Sequence, residues 1–339
     1  ESKITNNNMV NNILIIVVSC FSLFFILNHY SYRINLLDLP NSRKLHKNPV
    51  PLIGGIVIGL CLILSVYLFD FKDHYYNIIL SYSLLIVIAG VLDDFKNLSA
   101  GNKLVLQSLP ISILIFKYDF FVKDLGFYTY VGLIELGSFA PIFTLLSIFL
   151  FINACNYIDG IDGSLGLIFL SSIMLLYFNI SNKDLDISYF YLAISIPVII
   201  FLLFNLASFL PKIFLGDSGS LLLGYLLSCL LIISYNKYQT HPIIIAWSVS
   251  LIVYDFLFVN IYRIKNKKII TEPGKDHIQH ACIKYTKSKI KSNAIIVGLN
   301  TSFAILGILF YKYYSPLASL ILFIIMFLVY SIFRFKFFN

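Results

Sequence analysis

A chain of 339 residues that is 59% hydrophobic and only 12% charged carries more apolar surface than a water-soluble core can hide, which excludes the soluble classes. Its net charge of +8 does not point to nucleic acid, because in a membrane protein the placement of charge matters more than its sum. The five cysteines, Cys20, Cys61, Cys155, Cys229 and Cys282, are scattered without paired spacing, which argues against a disulfide framework and against a zinc site.

Apolar runs of about 20 residues predict an all-α polytopic membrane protein of about eleven transmembrane helices, at 10–30, 52–70, 76–92, 102–118, 139–155, 164–180, 188–206, 219–235, 241–262, 292–311 and 316–333. The first run is read as a span rather than a signal peptide, since no small-residue cleavage site follows it, only His29-Tyr30-Ser31-Tyr32-Arg33. The odd connections (31–51, 93–103, 153–163, 207–218 and 263–291) and the C-terminal tail hold 18 of the 25 Lys and Arg residues. The positive-inside rule then predicts those connections and the C-terminus in the cytoplasm and the N-terminus outside. Residues 1–339 read as a single integral membrane domain with its active site on cytoplasmic loops. Among the outer connections, two β-prone runs around Gly132, within Lys123 to Gly137, predict a hairpin of structural role.

The chemistry gathers on the cytoplasmic side. The first loop, RKLHKNPVPLIGG from Arg43, sets Lys44 and His46 in a proline-stiffened basic segment that suits phosphate, although juxtamembrane cations also serve as topology anchors. The second holds Asp93 and Asp94 at the end of a span, with Lys103 and Gln107 one turn apart on the next helix. Adjacent acids there pair with a cation or bind one.

In FINACNYIDGIDGSLG, from Phe151, the residues Asn153, Asn156, Asp159 and Asp162 recur every third position. On a helix they form a polar ladder of two amides and two carboxylates on one face, with Gly160 and Gly163 loosening the backbone where the span ends. In FLGDSGS, from Phe214, Asp217 lies between two glycines at the start of a helix. A phosphate-binding turn and a plain N-cap both fit it. The last loop carries Gly274-Lys275-Asp276-His277-Ile278-Gln279-His280. Its two histidines lack a neighbouring acid or thiol in sequence, so zinc is a weak reading, and the lysines beyond them fit a basic helix on anionic lipid.

Carboxylates and amides without soft ligands favour Mg2+, or Mn2+ in its place. Lys, Arg and His around them favour phosphate, and no P-loop is present. The motifs RKLHKNPVPLIGG, VLDDFKNLSAGNKLVLQ, NACNYIDGIDG and FLGDSGS, in this order, resemble the signature of the polyprenyl-phosphate N-acetylhexosamine-1-phosphate transferases, along the whole chain.

The resemblance implies an eleven-span fold in a bacterial inner membrane and Mg2+-dependent transfer of a sugar-1-phosphate from a UDP-linked amino sugar to undecaprenyl phosphate. UMP is released and a lipid-linked envelope glycan (O-antigen, capsule or teichoic acid) is begun. It implies Asp217 as metal ligand with Asn156 assisting, Asp93 and Asp94 as the catalytic acidic pair, and Lys103 on phosphate. It also places Asp159 and Asp162 near uridine, and Lys44 and His46 near the phosphates. Asn153 joins the substrate-binding group from the ladder.

The family's last loop usually reads Asp-Arg-x-His-x-His-His. Here Gly274, Lys275 and Gln279 depart from it, while His277 and His280 keep it. That loop contacts sugar and pyrophosphate in the family, so a UDP-6-deoxy-N-acetylhexosamine is an alternative donor. The expected partners are the UDP-sugar, undecaprenyl phosphate and membrane lipid, with no nucleic acid; a homodimer stays open. The rival of another class is a lipid-linked sugar transporter, which would place its charges at the bilayer midplane within repeats. Here the acids lie at the ends of spans.

Overall fold

The computed structural model describes residues 2–40, 47–269 and 274–338. In chain order the elements are α1 (Ser2–Ser31), β1 (Leu37–Asp38), β2 (Val50–Pro51), α2 (Gly54–Phe69), α3 (His74–Lys96), α4 (Ala100–Tyr118), β3 (Asp124–Tyr128), β4 (Gly132–Glu135), a 3-10 turn (Gly137–Phe139) and α5 (Ala140–Ile158). They continue with α6 (Ser164–Asn179), α7 (Leu185–Leu206), α8 (Gly216–Asn236), α9 (Pro242–Ser248), α10 (Ser250–Lys265), α11 (Ile278–Thr286), α12 (Lys289–Tyr313) and α13 (Pro316–Phe338). This is an all-α multi-pass membrane protein.

Each predicted apolar run falls on helix, but the number of spans the helices support is smaller. Among the described residues seven helices are long and apolar enough to cross a membrane, or eight if α9 and α10, bent by 77°, form one broken span. The reason lies in length and polarity. Helices α2 and α6 have 16 residues each, about 24 Å at 1.5 Å per residue against a hydrocarbon core of about 30 Å. Helix α4 carries Lys103, Gln107 and Lys117 together with Pro110.

The chain divides into two compact units, Glu1–Ile111 with Lys183–Leu226, and Ser112–Asn182 with Leu227–Asn339. In the first unit α2 packs on α1, α3 and α7. Aromatic rings fill the contacts, with Phe24 against Phe204 and Tyr76 against Phe190. The start of α2 is tied to the segment before α8: the Gly54 and Gly55 N–H groups donate to the carbonyls of Phe214 and Leu215, both at 3.0 Å. Orphan donors at a helix start are thereby satisfied by backbone.

This tie draws two backbones together. A Cβ on Gly55 would meet Gly219 N at 2.1 Å, and one on Gly90 of α3 would meet Ser218 Cα at 2.3 Å. Only glycine lets the first turn of α8 lie so close to α2 and α3.

In the second unit α12 is the central element, packed on α6, α9, α10, α11 and α13. Trp247 of α9 is fully buried and donates its Nε1–H to Ser319 Oγ at 2.9 Å. The break between α9 and α10 frees backbone groups inside an apolar region, where unpaired ones are costly. Asn300 of α12 meets them: its Nδ2 donates to the Ser248 carbonyl at 3.3 Å and its Oδ1 accepts the Leu251 N–H at 3.4 Å. The hairpin expected around Gly132 is present, β3 pairing antiparallel with β4.

Candidate functional site

In the first unit the acidic pair is divided between two tasks. Asp93, in the last turns of α3, accepts the Leu98 N–H on Oδ1 at 2.8 Å and the Lys103 ammonium on Oδ2 at 2.5 Å. Lys103 reaches on to Asp217 Oδ2 at 3.4 Å. Asp94, the next residue, turns to α8 instead. Its Oδ1 accepts the N–H of Asp217 at 2.7 Å and its Oδ2 that of Ser218 at 3.1 Å. A carboxylate at a helix start meets both free donors and the positive end of the dipole.

The phosphate-binding turn expected at Gly216 to Gly219 therefore needs correcting. Two of the backbone N–H groups it would offer a phosphate already hold a carboxylate of the protein. Asp217 is not the cap either, since Asp94 caps the helix from α3. What remains accessible is the Asp217 side chain, 36% exposed, beside an Asp93 side chain that is 6% exposed.

Three carboxylates and one ammonium leave a formal excess of two negative charges. Among the described residues no group of three or more His, Cys, Asp or Glu forms a metal cage. A hard cation such as Mg2+ needs no cage, as it keeps waters and takes one or two protein carboxylates plus substrate phosphates. The oxygen donors and charge excess around Asp217 fit it.

One helical turn beyond Lys103, Gln107 is fully buried, and neither polar atom of its amide meets a partner among the described residues. A buried amide left so costs on the order of 1–3 kcal/mol, which marks a place for water or ligand.

In the second unit the expected ladder of Asn153, Asn156, Asp159 and Asp162 is not a single helical face. Asn153 and Asn156 lie on α5, which stops at Ile158. Asp159 is its C-cap, and the chain then turns through Asp162 to Gly163, whose φ of 77° starts α6. The two glycines end the helix before the acids can share its face. Asp162 instead pairs with Lys289 at 2.6 Å, and its carbonyl accepts from Asn293 Nδ2 at 2.8 Å, both from α12.

The last loop lies against this turn. A Cβ on Gly160 would meet Gln279 Nε2 and His280 Nε2 at 2.8 Å. Gln279 is fully buried and donates its Nε2–H to the Tyr157 carbonyl at 2.6 Å. The amide that replaces a family histidine thus closes the α5 C-terminus. Gly274, where the family has Asp, lies against the Arg263 guanidinium, and the acid for Arg263 comes from Asp276, with Nε to Oδ2 at 3.2 Å. Lys275 is exposed.

His280 is pushed down to about 4, first by burial and then by the neighbouring His277 and Lys275. His277 begins α11 and is held by Asp255, Nδ1 to Oδ2 at 2.8 Å. So His277 does have an acidic partner, 22 residues upstream in α10. Sequence reading missed Asp255, which holds His277, and Tyr330 and Arg334, which donate to Asp255. The available signal was an ionisable residue alone inside an apolar helix. Lys44 and His46 lie outside the described residues.

Residues 76–235 match the family described as Glycosyl transferase family 4. The chain is 32% identical, over 94% of its length and 90% of the relative's, to a probable undecaprenyl-phosphate N-acetylglucosaminyl 1-phosphate transferase of Bacillus subtilis (strain 168). It is 27% identical, over 88% and 83%, to the undecaprenyl-phosphate alpha-N-acetylglucosaminyl 1-phosphate transferase of Escherichia coli O157:H7. With the enzyme of that name from Yersinia pestis it shares 24% identity over 95% and 90%.

Proposed function

We propose, from the premise that this chain belongs to glycosyl transferase family 4 and is a phosphoglycosyltransferase, that it transfers an N-acetylhexosamine-1-phosphate from a UDP-linked donor to undecaprenyl phosphate. An oxygen of the lipid phosphate attacks the sugar-bearing phosphorus, a new P–O bond forms, the pyrophosphate P–O bond breaks and UMP leaves. The work takes place at the cytoplasmic face of a bacterial inner membrane, with the N-terminus outside, and begins a lipid-linked envelope glycan.

The observation that carries this reading is the Asp93–Lys103–Asp217 chain, fixed by the Asp94 bonds to the start of α8. Two phosphate anions repel, by roughly 1 kcal/mol per pair of unit charges at ~4 Å in water and about 4 at an effective dielectric near 20. Mg2+ at Asp217 would supply the neutralisation. Lys103 places a cation beside the acids for a phosphate oxygen, and Asp93 holds that ammonium in place. Asp93 is also the carboxylate able to receive a proton from the lipid phosphate. Asn153, Asp159, Asp162, Lys275, His277 and His280 serve the donor.

The test is UMP release by purified protein with undecaprenyl phosphate and Mg2+, from UDP-GlcNAc, UDP-GalNAc and their 6-deoxy counterparts side by side. Asp217→Asn should abolish turnover in a protein that still folds, as an amide is a neutral and weaker ligand. Binding of UDP-sugars without UMP release from any of the four would overturn the transferase reading in favour of transport.

A further inference from the structure

Asp255 lies in the apolar helix α10 with its side chain fully buried. A carboxylate in that position needs partners, and it has several. Oδ1 accepts the Ile278 N–H at 2.9 Å, the Tyr330 hydroxyl at 2.8 Å and Arg334 Nη2 at 3.4 Å. Oδ2 faces Nδ1 of His277 at 2.8 Å. Arg334 Nη2 also donates to the Asp276 carbonyl at 2.6 Å, so the C-terminal helix α13 grips the residue before His277. The imidazole lies beside the Tyr157 ring, centroids 5.1 Å apart.

The two oxygens therefore have different surroundings. Oδ1 is met by three donors. Oδ2 is left for the imidazole, and an ionised carboxylate has no hydrogen to give. The proton of that bond must sit on Nδ1, which leaves Nε2 as the atom through which the ring can meet a ligand. The Ile278 bond to the same carboxylate fixes the chain next to the ring. We propose that Asp255 is a positioning residue: with Tyr330 and Arg334 it sets the tautomer and direction of His277, so that Nε2 is presented to a nucleoside-diphosphate sugar. The inference rests on the reading of His277 as a donor-binding residue, and it assigns α13 a part in the donor site.

The experiment uses the full chain in nanodiscs with 15N-labelled histidine, recorded above the imidazole's titration range, with the His277 signals assigned from His277→Gln. The parent should show a protonated Nδ1 and a pyridine-like Nε2. In Asp255→Asn the amide oxygen stays with the three donors, and its NH2 then faces Nδ1. The ring should switch to the Nε2–H tautomer, and kcat/KM for the UDP-sugar should fall, by up to about the 10⁴-fold lost when a histidine-orienting Asp becomes Asn elsewhere. Tyr330→Phe, which removes one of the three donors from Oδ1, should lower kcat/KM in the same direction as Asp255→Asn but by a smaller factor.

An Nε2–H tautomer in the parent overturns the proposal, even if Asp255→Asn does not fold. So does a switched tautomer with unchanged kcat/KM. A parent that shows the Nδ1–H form but releases no UMP sinks the functional reading instead, and with it the assigned ligand.

Discussion

Asp94 caps the helix that carries Asp217, its Oδ1 accepting the Asp217 N–H at 2.7 Å across 123 residues of sequence. The adjacent acids are thus not interchangeable. Asp94→Asn keeps one acceptor and turns a donor toward a backbone N–H, which should loosen the start of α8. Metal affinity should weaken by about 10–100-fold, as for other groups that orient a ligand from behind it. Asp93→Asn should lower kcat and leave the Mg2+ dependence near that of the parent. Activity measured across a Mg2+ titration separates the two; equal shifts in both variants would remove the division of labour.

Gln107 offers a prediction of opposite sign for stability and activity. Its buried amide meets no partner among the described residues, so Gln107→Leu removes an unsatisfied group and should leave the melting temperature equal or higher. If the amide serves the lipid acceptor beside Lys103, KM for undecaprenyl phosphate should rise about 10-fold, with KM for the UDP-sugar unchanged. A lower melting temperature with unaltered KM would show an amide satisfied by structural water alone.

The replacement at Gln279 should not by itself redirect donor choice. Its Nε2–H is committed to the Tyr157 carbonyl, and a histidine there can donate a ring N–H to the same oxygen. Gln279→His should therefore leave the ratio of kcat/KM for UDP-GlcNAc to that for the 6-deoxy donor within about threefold, well inside the roughly 10²-fold effect of a true pocket change. A larger swing would put Gln279 in the sugar pocket.

His280 sets a pH dependence. Its folded-state pKa is about 4, below the ordinary value of about 6.5. Between these values the unfolded chain holds a proton that the folded chain does not. Stability from the neutral ring is complete above about 6.5 and is lost as pH falls toward 4. The melting temperature of His280→Gln should fall less than the parent's between those limits. Parallel curves would show that His280 titrates alike in both states.

Helices were legible from apolar runs because burial in lipid leaves an unbroken pattern, and the β3–β4 hairpin from its β-prone residues. The count of spans was not, since the runs at 52–70 and 164–180 form helices of only 16 residues each, too short for the hydrocarbon core. In the site, the pairing of Asp93 with Lys103 was within reach of local spacing. The capping of α8 by Asp94 was not, because its partners are backbone groups brought there by the fold. The ladder misled for a related reason: period three assumes a helix, and Asp159 ends it.

The packing of Gly55 and Gly90 against Gly219 and Ser218 has a consequence for reading mutational maps of this protein. Both glycines touch nothing that reacts, yet any side chain there would push apart the backbones that aim Asp217. In a scan scored by activity they will rank with the acids. A map of sensitive positions is then a map of steric tolerance as much as of chemistry, and only a readout that separates metal affinity from folding yield can tell an aiming surface from a reacting group.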